Sequence, residues 1–109
     1  MNTVQKELQT IPGIGKSIAA DLINIGILNV KSLQYKNPYL LYRKIEIFYG
    51  LKQDPCLLYV MRCAVYFAST KVHDEEKLKW WYWKDQTIYE SPISAQQKLG
   101  KSLRIPAVK

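Results

Sequence analysis

A single histidine and two cysteines leave this 109-residue chain with little metal-ligating or thiol chemistry. His73 has no neighbouring ligand in sequence, so no metal site is expected. Cys56 and Cys63 lie seven positions apart in what reads as one helix. The rise between them is about 10.5 Å, beyond the ~7 Å that a disulfide tolerates. Both are therefore expected to be small buried apolar residues in a reducing compartment. No window approaches the ~18–20 apolar residues of a membrane span, and the start MNTVQKELQT lacks the basic residues and apolar run of a signal peptide. The expectation is a cytoplasmic chain with no membrane partner. Strand alternation does not persist anywhere, which points to an all-α fold. Paired carboxylates, Ser/His/Asp sets and Cys/His sets are all missing, so neither an enzyme nor a cofactor is expected. Acidic residues are also few: nine face sixteen basic ones, for a net charge of +7. A surplus of that size suits a polyanionic partner, nucleic acid or an anionic surface.

What is present reads as five or six short helices. At 48% hydrophobic and 23% charged, the composition is that of a folded domain rather than a disordered chain. Val4, Leu8 and Ile11 recur at helical spacing, and Pro12-Gly13-Ile14-Gly15 makes a tight connection. A second helix starts at Lys16, with Ile18, Ala19, Leu22 and Ile23 inward and Gly26 as its stop. Asn29 suggests the cap of a short helix, while Asn37-Pro38 and Asp54-Pro55 each place a capping side chain before proline at the first helical position. The helix from Pro38 is expected to bury Leu41, Ile45 and Phe48. From Pro55 to about Ser69 only Arg62 interrupts an apolar surface, so this is the expected central helix. Asp74-Glu75-Glu76 reads as a helix start with acids where the dipole favours them, rather than as a metal cluster. It leads into Lys79-Trp80-Trp81-Tyr82-Trp83-Lys84, where two tryptophans would cap the core, with a dimer contact or base stacking as alternatives. Residues 86–109 carry four basic residues and one acid, and are expected to be a basic tail to a domain at 1–85.

The segment Leu8 to Ala20, LQTIPGIGKSIAA, is where chemistry is expected. Glycine alone tolerates positive φ without cost, so Gly-Ile-Gly makes a turn that Ile14 can pin to the core. Backbone amides around Gly13, Gly15 and Lys16 would face outward at a helix N-terminus, where free N–H groups and the dipole favour an anionic oxygen. The expected phosphate contacts are Gly13, Ile14, Gly15, Lys16 and Ser17. Secondary contacts are expected from Lys52, Lys98, Lys101 and Arg104.

IPGIGKSIA resembles the helix-hairpin-helix motif, with Gly13, Ile14, Gly15 and Ala19 in register. Many members of that group carry proline then lysine after the second glycine, where Lys16-Ser17 stands here. From Leu8 to Asp85, including PGIGKSIAADL, Cys63 to Phe67 and Lys79 to Asp85, the chain is similar to the bacterial pathogenicity-locus family of helix-hairpin-helix proteins. Its first part, through Leu33, is also similar to the C-terminal domain of Sxy-type competence regulators. The helix from Pro38, Tyr49-Gly50-Leu51-Lys52 and the helix from Pro55 repeat the first layout without a Gly-x-Gly turn. These resemblances imply a compact double helix-hairpin-helix (SAM-like) domain that binds duplex DNA without reading its sequence. The alternative is a protein-interaction module, or a homodimer through Trp80–Trp83.

Overall fold

A computed structural model describes residues 2–90, and within them the chain is all-helical. Four α-helices follow in order: α1 (Asn2–Leu8), α2 (Lys16–Asn24), α3 (Pro38–Tyr49) and α4 (Pro55–Ser69). Short 3-10 turns at Lys31–Leu33, Glu75–Leu78, Trp80–Asp85 and Ile88–Glu90 complete the described chain.

The helix boundaries follow local chemistry. Asn37 Oδ1 accepts the amides of Tyr39 and Leu40, and Asp54 Oδ1 accepts that of Cys56, so both Asx-Pro pairs start helices. Asn29 Oδ1 accepts from the Ser32 amide and hydroxyl at the Lys31–Leu33 turn. α2 ends at Gly26, whose φ of +92° permits bonds from Gly26 N to Ile23 O and from Ile27 N to Leu22 O. α3 ends in the same way around Gly50.

α4 is the centre. Its Leu57, Val60, Met61, Cys63, Ala64, Val65, Tyr66 and Ala68 are buried around its circumference. α3 and the 3-10 turns Lys31–Leu33, Glu75–Leu78 and Trp80–Asp85 pack on it, and the Ile88–Glu90 turn lies against α3. Arg62 is buried with them. Its guanidinium bonds both oxygens of Glu90, at 2.6 and 3.1 Å, and the carbonyls of Trp83 and Lys84 at 2.8 and 2.9 Å. The lone charge of the central helix is thus the clamp that holds the chain's return across it, with its donors directed at a carboxylate and carbonyls.

Several expectations are corrected. Ile11 is buried but lies beyond α1, in the turn. Phe48 is exposed although it lies seven positions after the buried Leu41 and so on nearly the same stripe, because it falls in the last turn of α3, past the residues that the body covers. Cys56 is exposed at the first turn of α4, and only Cys63 is in the core. The segment after Asp74 forms two 3-10 turns separated by an extended Lys79, rather than one helix. Residues 88–90 lie against the body: Tyr89 packs on both apolar clusters and Glu90 holds Arg62.

Candidate functional site

The turn between α1 and α2 is built from the residues LQTIPGIG. Thr10 N bonds Glu7 O, Ile11 N bonds Leu8 O, and Ile14 N bonds Ile11 O at 3.1 Å. The last of these closes a β-turn over Pro12-Gly13. Proline second and glycine third is the preference of a type II turn, and Gly13 has the required positive φ, +87°. Ile11 and Ile14 are both buried, so the turn is pinned to the core at each end.

The two glycines have different tasks. A Cβ at Gly13 would lie 3.2 Å from Cδ1 of Trp80, so the indole of the later 3-10 segment occupies the space beside this glycine. A Cβ at Gly15 would meet nothing within 4 Å, and its backbone is extended (φ −96°, ψ −167°). Gly13 is nonetheless exposed, as is Gly15, and Gly15 is the one of the two with nothing beside its Cβ position. An outside atom thus has the freer approach at Gly15, and the Ile14 amide is already bonded to Ile11 O.

Beyond that turn the donors are free. Gly15 caps α2 without a side-chain bond, and among the described residues no acceptor meets the amides of Gly15, Lys16 or Ser17. Lys16 and Ser17 are exposed. No acid lies in the first turn of α2. The positive end of the helix dipole, three unpaired N–H groups and one ammonium thus sit on one small open surface, which suits an anionic oxygen.

The connection from α3 to α4 is built differently, although it has the same helix-turn-helix outline. Its own carboxylate fills it: Glu46 is buried beneath the turn, with Oε2 accepting the Gln53 amide at 3.0 Å and Oε1 paired with Arg43. The Tyr42 hydroxyl donates to Gln53 O at 2.6 Å. The Gln53 amide and Arg43 hold the Glu46 carboxyl below the usual glutamate range. α4 then starts with Pro55, which has no N–H, and Asp54 takes the amides of Cys56 and Leu57. Lys52 is exposed here, yet the amides on either side of it, of Leu51 and Gln53, are bonded to Glu46, and Asp54 adds negative charge.

The remaining candidates divide. Lys98, Lys101 and Arg104 lie outside the described residues. Among Trp80 to Trp83, Trp83 is buried with its indole N–H bonded to Lys77 O at 2.8 Å, and Trp80 is half-buried over Gly13. Trp81 stands edge-on to Trp80 and is 60% exposed. Two tryptophans therefore cap the core, and the run offers the surface chiefly Trp81. His73 stacks on Phe67 and bonds its carbonyl at 2.8 Å. Burial pushes the Cys63 thiol up to about 12, which keeps it protonated at neutral pH. Among the described residues no group of three or more His, Cys, Asp or Glu side chains could hold a metal ion. No described helix is long and apolar enough to cross a membrane.

Sequence reasoning missed Trp80 as the partner of Gly13 and Glu46 as the filler of the second turn. For Glu46 a signal was present: it is the only acid between Asp21 and Asp54, placed in an otherwise apolar-and-basic helix.

The chain belongs to the family described as Pathogenicity locus, whose model matches residues 2–88. Within that frame it is similar to McrB, a mitomycin resistance protein of Streptomyces lavendulae, at 34% identity over 59 residues. The matched region is 54% of this chain and 56% of McrB, so the chain spans a little over half the length of that relative. No solved structure matches the chain.

Proposed function

We propose that the protein is a small non-enzymatic DNA-binding domain of the helix-hairpin-helix kind, which grips the phosphate backbone of duplex DNA without reading sequence. The observation that carries this reading is the open start of α2. Gly15 has empty space where a side chain would be, the amides of residues 15–17 have no acceptor in the described chain, and Lys16 stands beside them. A phosphate oxygen supplies what that surface lacks, and phosphate contacts position a protein without conveying base identity. The net charge of +7 supports the same partner.

Lys16→Glu tests it. The change sets a negative charge against the bound phosphate, while placing an acid in a first helical turn that has none. The dipole favours an acid there by about 0.3–1 kcal/mol. Duplex affinity should fall at least about ten-fold, roughly 1.4 kcal/mol, with the melting midpoint unchanged or slightly raised. Unchanged affinity in a folded variant would remove this site from the function.

A further inference from the structure

Exposed large apolar side chains are unevenly distributed. Of eleven among the described residues, six lie between Tyr39 and Leu51, on α3 and its end. Leu40 is 55% exposed, Ile47 69% and Leu51 68%. At about 100° per residue, Leu40 and Ile47 fall together on the side of α3 opposite its buried stripe, and the exposed Phe48 lies about 80° from Leu40, nearer that stripe. A solvent-facing helix surface is ordinarily polar, and a clustered apolar row of this kind marks an interaction surface.

The exposed charges of this segment are of one sign, and Asp21 of α2 meets it only at the Tyr49 hydroxyl. Residues 36–52 hold Lys36, Arg43, Lys44, Lys52 and a single acid, Glu46. Glu46 is buried, with its oxygens given to Arg43 and the Gln53 amide. Lys44 is exposed and has no ion-pair partner among the described residues. Around the helix axis it falls between Leu40 and Phe48, inside the apolar row rather than at its border.

We propose that the outer face of α3 docks an acidic amphipathic helix of a partner protein. Leucine-type side chains of the partner cover Leu40, Ile47 and Leu51, and its carboxylates meet Lys44 and Arg43. The position of Lys44 separates this occupant from the others. A second copy packed α3 against α3 by a two-fold axis would bring Lys44, unpaired in each copy, into one interface with no carboxylate to meet it. A membrane-embedded helix face keeps its cations on the polar side, and here one sits among the residues that would enter the hydrocarbon. DNA has no apolar surface in its phosphate backbone to cover Leu40 and Ile47. The proposal is independent of the phosphate site at the start of α2.

The test uses a synthetic helix of about 18 residues, long enough to form in water, made of leucine, alanine and glutamate, and its lysine-for-glutamate counterpart. The full chain is titrated with each and followed by amide resonances and peptide anisotropy. The acidic peptide should shift Leu40, Lys44, Ile47 and Leu51 and bind at least about ten-fold tighter than the basic one. Lys44→Glu should reverse that order. Ile47→Ser should weaken the acidic peptide about ten-fold without lowering the melting midpoint, since the side chain is exposed. The proposal is overturned if the peptides bind equally or not at all, or if the shifts lie elsewhere. It is equally overturned by a concentration-dependent dimer in sedimentation, or by binding to phosphatidylserine vesicles, that Ile47→Ser abolishes.

Discussion

Gly13 and Gly15 are two positions apart and identical in type, and their environments make them opposite as mutation sites. Gly13 holds φ +87° under the Trp80 indole. Gly13→Ala should cost about 1–2 kcal/mol and lower the melting midpoint by at least ~4 °C, through left-handed strain and a Cβ pressed on Trp80. Gly15 is extended and open, so Gly15→Ala should change stability by no more than about 0.5 kcal/mol. A slightly poorer N-cap is offset there by a less flexible unfolded chain. Its added methyl stands where a phosphate would approach, so duplex affinity should drop while the midpoint stays. Thermal melts and duplex titrations on the two variants check both halves. A Gly15→Ala protein with wild-type affinity would argue against close backbone contact.

At the scale of elements, α4 and the α3–α4 connection make separate claims. Val65 is fully buried in the central helix. Val65→Asp places an unpaired charge where no partner can reach it and should leave the domain unfolded at room temperature, as read by circular dichroism. The connection is tied by an ionised Glu46, whose folded pKa lies below the ordinary value of 4.5 because the Gln53 amide and then Arg43 stabilise the carboxylate. A depressed folded pKa contributes stability that is complete above the unfolded value and is lost as pH falls through the folded one. The wild-type midpoint should therefore fall on acidification below about pH 4.5, and Glu46→Gln should lose less over that interval. Equal acid sensitivity in the two proteins would show that Glu46 does not carry the effect.

For the whole molecule, the distribution of charge bears on the DNA reading. Residues 2–90 hold twelve basic and nine acidic side chains, so four of the seven excess positive charges belong to residues 91–109. Phosphate-driven binding should weaken with salt with a log–log slope near −0.9 per phosphate neutralised, equally for two unrelated duplexes. Lys16→Glu should make that slope shallower by about one. Titrations at roughly 50 and 200 mM salt measure it, and a salt-independent complex would count against the phosphate contact.

What the sequence alone determined was whatever is decided within about one helical turn. The caps at Asn37 and Asp54, the Gly26 stop, the Pro12-Gly13 turn and the all-round apolar surface of α4 were legible because hydrogen bonds and apolar repeats there join residues a few positions apart. The open start of α2 was legible for the same reason. Tertiary structure decided the rest, through partners far along the chain. Trp80 reaches back to Gly13, Glu90 reaches Arg62 across 28 positions, and the Tyr49 hydroxyl reaches Asp21 on α2 across the same separation. Which glycine lies against an indole and which has none beside it, and whether Phe48 faces the core or water, depend on how helices settle against one another. Periodicity places a residue on a stripe, but only packing says where the neighbouring helix ends, and α3 has nothing in the described chain over Leu40 and Ile47.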